Sequence, residues 1–197
     1  ILWNAFGPEN ILGCVVYPAA EIIEPGVIKH TEGNRFSLGE PNGVKSQRVK
    51  KLSEILTNAS LRAPVRSNIR TEIWVKLWGN LSFNPTSVLT HATLDKLCTD
   101  SGVTNIIRLM MKEAEEIANK LGVTFPIDVE KRIEGGAAVG AHQTSMLQDI
   151  LSGRPLELDA MLGSVQELGR LLKIQTPTID IIFALTKLRE TMNFSAR

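Results

Sequence analysis

The chain has 197 residues, of which 43% are hydrophobic and 22% are charged, and its formal net charge is +1. These values are ordinary for a globular protein and allow one large domain or two small ones. They give no electrostatic support for binding nucleic acid or an anionic membrane, and no apolar run approaches the roughly 20 residues of a membrane-spanning helix. Two cysteines, Cys14 and Cys98, suit neither a disulfide framework nor a zinc site, which favours a reducing, cytoplasmic location.

The first third of the sequence predicts an incomplete α/β segment. Residues 10–20 contain the run Ile-Leu-Gly-Cys-Val-Val-Tyr, which is typical of a buried strand. Further short strands are predicted at 27–31, 35–38 and 61–65, and an amphipathic helix is predicted at 44–59. No Gly-x-Gly-x-x-Gly turn is found in the sequence. The sequence begins Ile-Leu-Trp-Asn, without Met or a signal peptide, so we expect an upstream part of the protein to be missing.

The remaining sequence predicts helices only, which places the expected domain boundary after residue 67. Ser67 is the predicted N-cap of the first of them. Three prolines, Pro126, Pro155 and Pro177, are predicted to stand at helix starts. The helices are expected near 68–83, 93–99, 102–121, 126–134, 140–151, 155–173 and 178–193.

The most informative pattern is Lys76, Asn80 and Asn84, at i, i+4 and i+8 of the first of these helices. Each step of four residues drifts by about 40° around a helix, so the three side chains share one narrow strip. The strip faces either water or a pocket, and one cation with two amides suits an oxygen-rich substrate. Pro85 disfavours α geometry at Asn84, so we expect the helix to break or kink there and to present the Asn84 amide at its end.

Glu157 is the second candidate. Because it follows Pro155, it is expected near a helix N-terminus, where the helix dipole favours a carboxylate without any functional role. It also lies at the edge of an apolar stripe that begins at Met161. If Glu157 is buried it needs a partner, and Lys76 is a candidate.

Ser145 and Asp149, at i and i+4, are the third candidate. They form either an exposed polar face or, for Ser145, a hydroxyl that hydrogen-bonds a substrate carboxylate. The histidines His30, His91 and His142 show no metal-ligand spacing, so a structural role is expected for them and no metal is predicted. The three tryptophans, Trp3, Trp74 and Trp78, are expected to anchor a core or an interface.

Taken in order, these segments resemble the ketopantoate reductase (2-dehydropantoate 2-reductase) family over essentially the whole chain. Glu24-Pro-Gly-Val-Ile-Lys-His and Arg35-Phe-Ser-Leu-Gly-Glu-Pro resemble the closing strands of that family's nucleotide-binding domain. The run Ile73–Pro85 is similar to the first helix of its substrate domain. Thr144-Ser-Met-Leu-Gln-Asp, followed by Gly153-Arg-Pro-x-Glu-x-Asp, is similar to the second half of its site.

The resemblance implies the C-terminal part of a Rossmann-like NADPH-binding domain over 1–67 and an all-α substrate domain over 68–197. It implies reduction of 2-dehydropantoate, or of a related 2-keto acid, with NADPH in pantothenate and coenzyme A biosynthesis. A homodimer is a further expectation. Because the glycine-rich turn is absent, the main cofactor site is not expected on this chain, and the chain alone is expected to be inactive.

By position, the resemblance also implies a role for each candidate. Lys76 resembles the general acid that protonates the carbonyl oxygen of the substrate. Glu157 resembles the carboxylate that pairs with this lysine and grips the substrate hydroxyl, and it is expected on the nicotinamide side of the site. Asn80 and Asn84 resemble amide partners of substrate oxygens, and Ser145 resembles the serine that holds the substrate carboxylate.

One departure from the family pattern leaves the exact 2-keto acid open. Some members carry a further Asn after the Asn-Pro segment, and this sequence has Thr-His-Ala-Thr-Leu there, at 90–94. Two alternatives therefore stand beside the reductase. One is another dehydrogenase of the 2-hydroxyacid or opine type, and the other is a helical dimerisation or interaction module in which Trp74 and Trp78 line an interface.

Overall fold

The computed structural model describes residues 2–195. The chain divides into two compact units, one ending at Ile73 and one beginning at Trp74. Within the described range, the strands lie in the first unit and the second is helical. The predicted fold class, an α/β segment followed by an all-α region, is confirmed. The domain boundary after residue 67 stays a prediction.

The strands of the first unit form two small antiparallel sheets rather than one incomplete sheet. Strand β1 (Gly13–Val16) pairs with β4 (Phe36–Gly39), and β2 (Ala19–Glu24) pairs with β3 (Val27–Glu32). The prediction of a buried strand is wrong for β1, where only Val15 is buried, because a two-stranded sheet leaves much of each strand uncovered. Short helical turns precede β1 at Leu2–Phe6 (α1) and at Pro8–Asn10.

The strand predicted at 61–65 forms only as an interrupted parallel ladder. Isolated parallel bridges join Arg62 to Arg35 and Val65 to Leu38. Pro64 lies between them and has no N–H group to donate, which explains the gap. The connection from β4 to this segment runs through helix α2 (Gln47–Asn58), so the unit contains a crossover between parallel segments.

Helix α2 anchors the small core of the first unit. Ser46 caps its N-terminus, because the side chain of Ser46 accepts a hydrogen bond from the Val49 N–H group. The Val49 side chain is fully buried and packs with Leu38 and Ala63. The predicted helix at 44–59 therefore exists, although it starts after the Ser46 cap.

Helix α3 (Ile69–Thr90) runs through Pro85 and continues to Thr90, so the predicted break at Asn84, with its amide at the helix end, is wrong. Residues 81–88 are all buried, and the packing energy of that burial outweighs the hydrogen bond that Pro85 cannot donate. The N-cap also differs from the prediction. The Asn68 side chain, rather than that of Ser67, accepts a hydrogen bond from the first turn.

The other helices of the second unit lie close to their predicted positions. Of the three prolines expected to start helices, only Pro177 does so. Pro126 precedes a helix that is capped by Asp128, and Pro155 lies in an irregular stretch. The bounds are Leu94–Thr99 (α4), Ser101–Lys120 (α5), Val129–Ala137 (α6), Ser145–Leu151 (α7), a π-helix at Asp159–Gly163 that continues into Ser164–Leu172 (α8), and Pro177–Ser195 (α9).

The helices of the second unit enclose one large hydrophobic core. Trp78 is fully buried, its ring centroid lies 4.1 Å from that of Phe125, and its indole N–H donates to the carbonyl oxygen of Met111 at 2.6 Å. Trp74 is buried in the same cluster, so these two tryptophans serve as core anchors, whereas Trp3 is 45% exposed and lies outside the core. Across residues 2–195, no helix combines the length and the apolar character that a membrane crossing requires.

Candidate active site

The predicted strip lies on α3 and passes from the partly exposed surface into the protein interior. Lys76 and Asn80 are partly exposed. Asn84, two turns beyond Lys76, is only 6% exposed. Among residues 2–195, no group hydrogen-bonds to the Asn84 carboxamide. The Asn84 amide atoms are nevertheless not among the described polar atoms that are both fully buried and unpartnered, so the amide still reaches solvent and is open to a ligand.

Two hydroxyl groups connect the Asn84 end of α3 to the start of α7, where Ser145 lies. The Ser87 hydroxyl donates to the backbone carbonyl oxygen of Asn84 at 2.6 Å. It also shares a hydrogen bond with the Thr144 hydroxyl at 2.5 Å. The Thr144 oxygen also accepts from the Leu147 N–H group and so caps α7. Ser145 is the next residue and is exposed. The structure therefore brings the Asn84 and Ser145 segments together.

Glu157 ends an irregular stretch, 154–157, and immediately precedes the helical residue Leu158. Its backbone carbonyl accepts the Met161 N–H group at 3.0 Å, which places Glu157 at the start of the helix, as predicted. The Glu157 side chain is exposed, whereas that of Leu158 is completely buried. The helix then opens as a π-helix, a form that occurs often at functional sites.

The structure does not form the predicted pair between Lys76 and Glu157. Within the described part of the chain, the Glu157 carboxylate takes part in no ion pair or hydrogen bond. The side chains of Asn80 and Ser145 likewise have no hydrogen-bond partner there. The expectation that Lys76 and Glu157 both contact a bound substrate stays a prediction.

Asp149 and two cavities of the second unit do not belong to the candidate site. Asp149, at i+4 from Ser145, forms an ion pair with Arg154 at 2.8 Å rather than joining the candidates. Cavities of about 410 Å³, at 90–103, and about 350 Å³, at 166–180, share none of the five candidate residues. Among residues 2–195, no three His, Cys, Asp or Glu side chains group as metal ligands would.

Sequence reasoning missed the residues that hold the candidates in place. Thr144 had a detectable signal, since a Thr directly before an apolar helical run is a common N-cap. Ser87 and Glu190 had none, because their partners, Thr144 and the Leu156 N–H group, are distant in the sequence.

The chain thus combines a short α/β segment with a helical unit that carries the lysine, amide, hydroxyl and carboxylate candidates. The family model described as "Ketopantoate reductase PanE/ApbA C terminal" matches residues 68–190. The chain belongs to the ketopantoate reductase family, as its resemblance indicated.

Known proteins of this family and fold are similar over nearly the whole chain. A 2-dehydropantoate 2-reductase of Mesorhizobium japonicum is 55% identical over 94% of the chain and 57% of its own length. The crystal structure of a 2-dehydropantoate 2-reductase from Methylococcus capsulatus is 32% identical, with a TM-score of 0.87 over 98% of the chain and 66% of its own.

A third comparison extends the fold beyond ketopantoate reductases. A D-mandelate dehydrogenase, solved with NADH and anilino(oxo)acetate, has a TM-score of 0.80 over 89% of the chain and 59% of its own, at 22% identity. That identity shows a shared fold alone. In all three comparisons, the chain spans less than two thirds of the length of the protein that it matches.

Proposed function

We propose that the protein to which this chain belongs reduces 2-dehydropantoate, or a closely related 2-keto acid, to the 2-hydroxy acid with NADPH, as a step in pantothenate and coenzyme A biosynthesis. The observation that carries the proposal is the polar strip Lys76, Asn80 and Asn84. Its buried end is tied to the Ser145 segment through the 2.5 Å contact between Ser87 and Thr144. The relative named 2-dehydropantoate 2-reductase, 55% identical, supports the choice of substrate.

The residues of this chain suit the keto acid better than they suit the nucleotide. The sequence offers no glycine-rich phosphate cradle, so the main NADPH site is not assigned to it. Glu157 alone is proposed to approach the nicotinamide. The 197-residue chain by itself is therefore expected to bind keto acid weakly and not to turn it over.

In this proposal, each side chain acts on a different oxygen of the substrate. The Ser145 hydroxyl holds the carboxylate, the Asn80 and Asn84 amides hold the remaining oxygens, and Glu157 accepts a hydrogen bond from the substrate hydroxyl. Bound NADPH supplies the hydride that adds to the carbonyl carbon. The Lys76 ammonium stabilises the negative charge on the carbonyl oxygen and gives that oxygen a proton, which yields the 2-hydroxy acid. Lys76 then regains its proton from solvent.

The test is NADPH oxidation with ketopantoate, measured by absorbance, using the product of the complete reading frame that encodes this chain. We expect Lys76→Ala to lower kcat at least about 10²-fold, the scale of general acid catalysis. Lys120→Ala is the control, because Lys120 is an exposed lysine in the last turn of α5. A Lys76→Ala enzyme with a rate close to that of the control would refute the role of Lys76.

The same assay separates the alternatives. A panel of 2-keto acids distinguishes ketopantoate reduction from another 2-hydroxyacid or opine-type activity. A complete product that reduces none of them would favour the interaction module. The homodimer stays a prediction, and α9 offers exposed apolar side chains for it at Ile181, Leu185, Leu188 and Met192. Light scattering on the complete product measures its mass directly.

A further inference from the structure

The last helix reaches back to the segment that carries Glu157. One carboxylate oxygen of Glu190 accepts the Leu156 N–H group at 2.8 Å, one residue before Glu157. Lys187, one turn earlier on α9, bonds Asp159 at 2.8 Å and the other oxygen of Glu190 at 3.3 Å. Glu157 is thus flanked on both sides by residues that are fixed to the same turn of α9.

We propose that Glu190 is a positioning residue that sets the direction of the Glu157 carboxylate. This inference rests on the proposed function, because it assigns Glu190 a role through Glu157. Glu190 itself does not touch the substrate in this proposal.

Three features of the structure support the proposal. First, residues 154–157 have no regular secondary structure, so no ladder of backbone hydrogen bonds holds them. Second, Glu190 is only 8% exposed, and a carboxylate is rarely buried unless it has partners such as the Leu156 N–H group and Lys187. Third, the Glu157 side chain has no partner of its own among residues 2–195, so its direction depends on the backbone that carries it.

The charged groups that link α9 to this segment stabilise one another. The hydrogen bond to Asp159 and, after it, the one to Glu190 raise the pKa of Lys187 above its ordinary value, so the ammonium form is favoured. A second contact from α9 holds the preceding helix, since the Asn193 amide donates to the carbonyl oxygen of Ile150 at 3.1 Å. α9 therefore holds both ends of the connection between α7 and α8.

The first test needs no activity and uses amide hydrogen exchange of the 197-residue chain by NMR. Glu190→Ala is expected to speed exchange at Leu156 about tenfold or more, because the N–H group loses its acceptor. Glu190→Gln keeps an acceptor oxygen and is expected to retain most of the protection. The matched control is Glu113→Ala, because Glu113 also holds α9 through backbone N–H groups, at Thr178 and Ile179.

The second test uses the complete reading-frame product and the ketopantoate assay. Glu190→Ala is expected to lower kcat/KM about 10²-fold, the cost of misplacing an active group by roughly 1 Å. Glu190→Gln should restore most of the rate, and Glu113→Ala should have little effect. If Glu190 acts through Glu157, the double variant Glu157→Gln, Glu190→Ala should be no slower than Glu157→Gln alone.

The outcomes separate this inference from the proposed function. If Glu157→Gln leaves the rate unchanged, the catalytic role of Glu157 fails, and so does any role of Glu190 through it. If Glu157→Gln slows the enzyme but Glu190→Ala behaves like Glu113→Ala, only the positioning role is overturned. Additive losses in the double variant, or unchanged exchange at Leu156 in Glu190→Ala, would also overturn it.

Discussion

The contact between Ser87 and Thr144 provides a direct test of how the two halves of the candidate site are joined. Thr144→Val keeps the shape of the side chain and removes its oxygen. The variant loses the cap on the Leu147 N–H group, worth about 1 kcal/mol, and the hydrogen bond to Ser87, worth about another 1 kcal/mol. The Ser87 hydroxyl keeps the carbonyl oxygen of Asn84 as its acceptor, so no further penalty is expected.

The expected loss of unfolding free energy is therefore about 2 kcal/mol. With a urea dependence of about 2 kcal/mol per molar, the unfolding midpoint should fall by about 1 M. Far-UV circular dichroism reports this transition, because the signal comes mainly from helices. Ser87→Ala removes both the shared bond and the bond to the backbone carbonyl oxygen of Asn84, and it should cost about 1–2 kcal/mol.

A double-mutant cycle isolates the shared bond. The combined variant Ser87→Ala, Thr144→Val should lose less than the sum of the single losses, with a coupling energy of about 1 kcal/mol. A coupling energy near zero would show that the two hydroxyl groups do not interact in solution. If Thr144→Val lowers the unfolding free energy by less than about 0.5 kcal/mol, both the cap on the Leu147 N–H group and the hydrogen bond between Ser87 and Thr144 are refuted.

Two matched pairs give the remaining predictions. Gly136→Ala would place a Cβ atom 2.9 Å from both the Cys98 sulfur and the Phe83 ring, so it should lower the unfolding free energy by about 1–3 kcal/mol. In Gly135→Ala the new Cβ atom meets nothing within 4 Å, so this variant should raise the unfolding free energy by up to about 1 kcal/mol. Urea unfolding measures the free energy of both variants. Burial raises the pKa of the Cys98 thiol to about 11, so roughly one thiol in 10³ is ionised at pH 8. A thiol reagent should therefore label the exposed Cys14 much faster than Cys98, and equal rates in the folded chain would contradict this.

Periodicity in the sequence was sufficient to locate the helices and the polar strip. The apolar spacing around Trp78 predicted α3, and the spacing of Lys76, Asn80 and Asn84 placed them on one face of it. The local effect of Pro85 was predicted wrongly, because the burial of residues 81–88 is a tertiary effect that no short window of sequence contains.

The supports of the site lay beyond sequence reasoning for a different reason. The hydrogen bond from the Leu156 N–H group to Glu190 joins residues 34 positions apart, and the contact of Ser87 with Thr144 joins residues 57 positions apart. Nothing in spacing or composition marks such pairs, since each depends on how whole helices pack. The positions of the candidates could thus be predicted, but the groups that hold them could not.

The π-helix at Asp159–Gly163 has a consequence for how this family member tolerates insertions and deletions. Its closing bond runs from the Ser164 N–H group to the Asp159 carbonyl, one residue further than in an α-helix. Removing a single residue there would restore α geometry and rotate the residues just before the π-helix by about 100° around the helix axis. The direction in which residues 154–157 leave the helix therefore depends on one inserted residue, and a one-residue deletion would reorient Glu157.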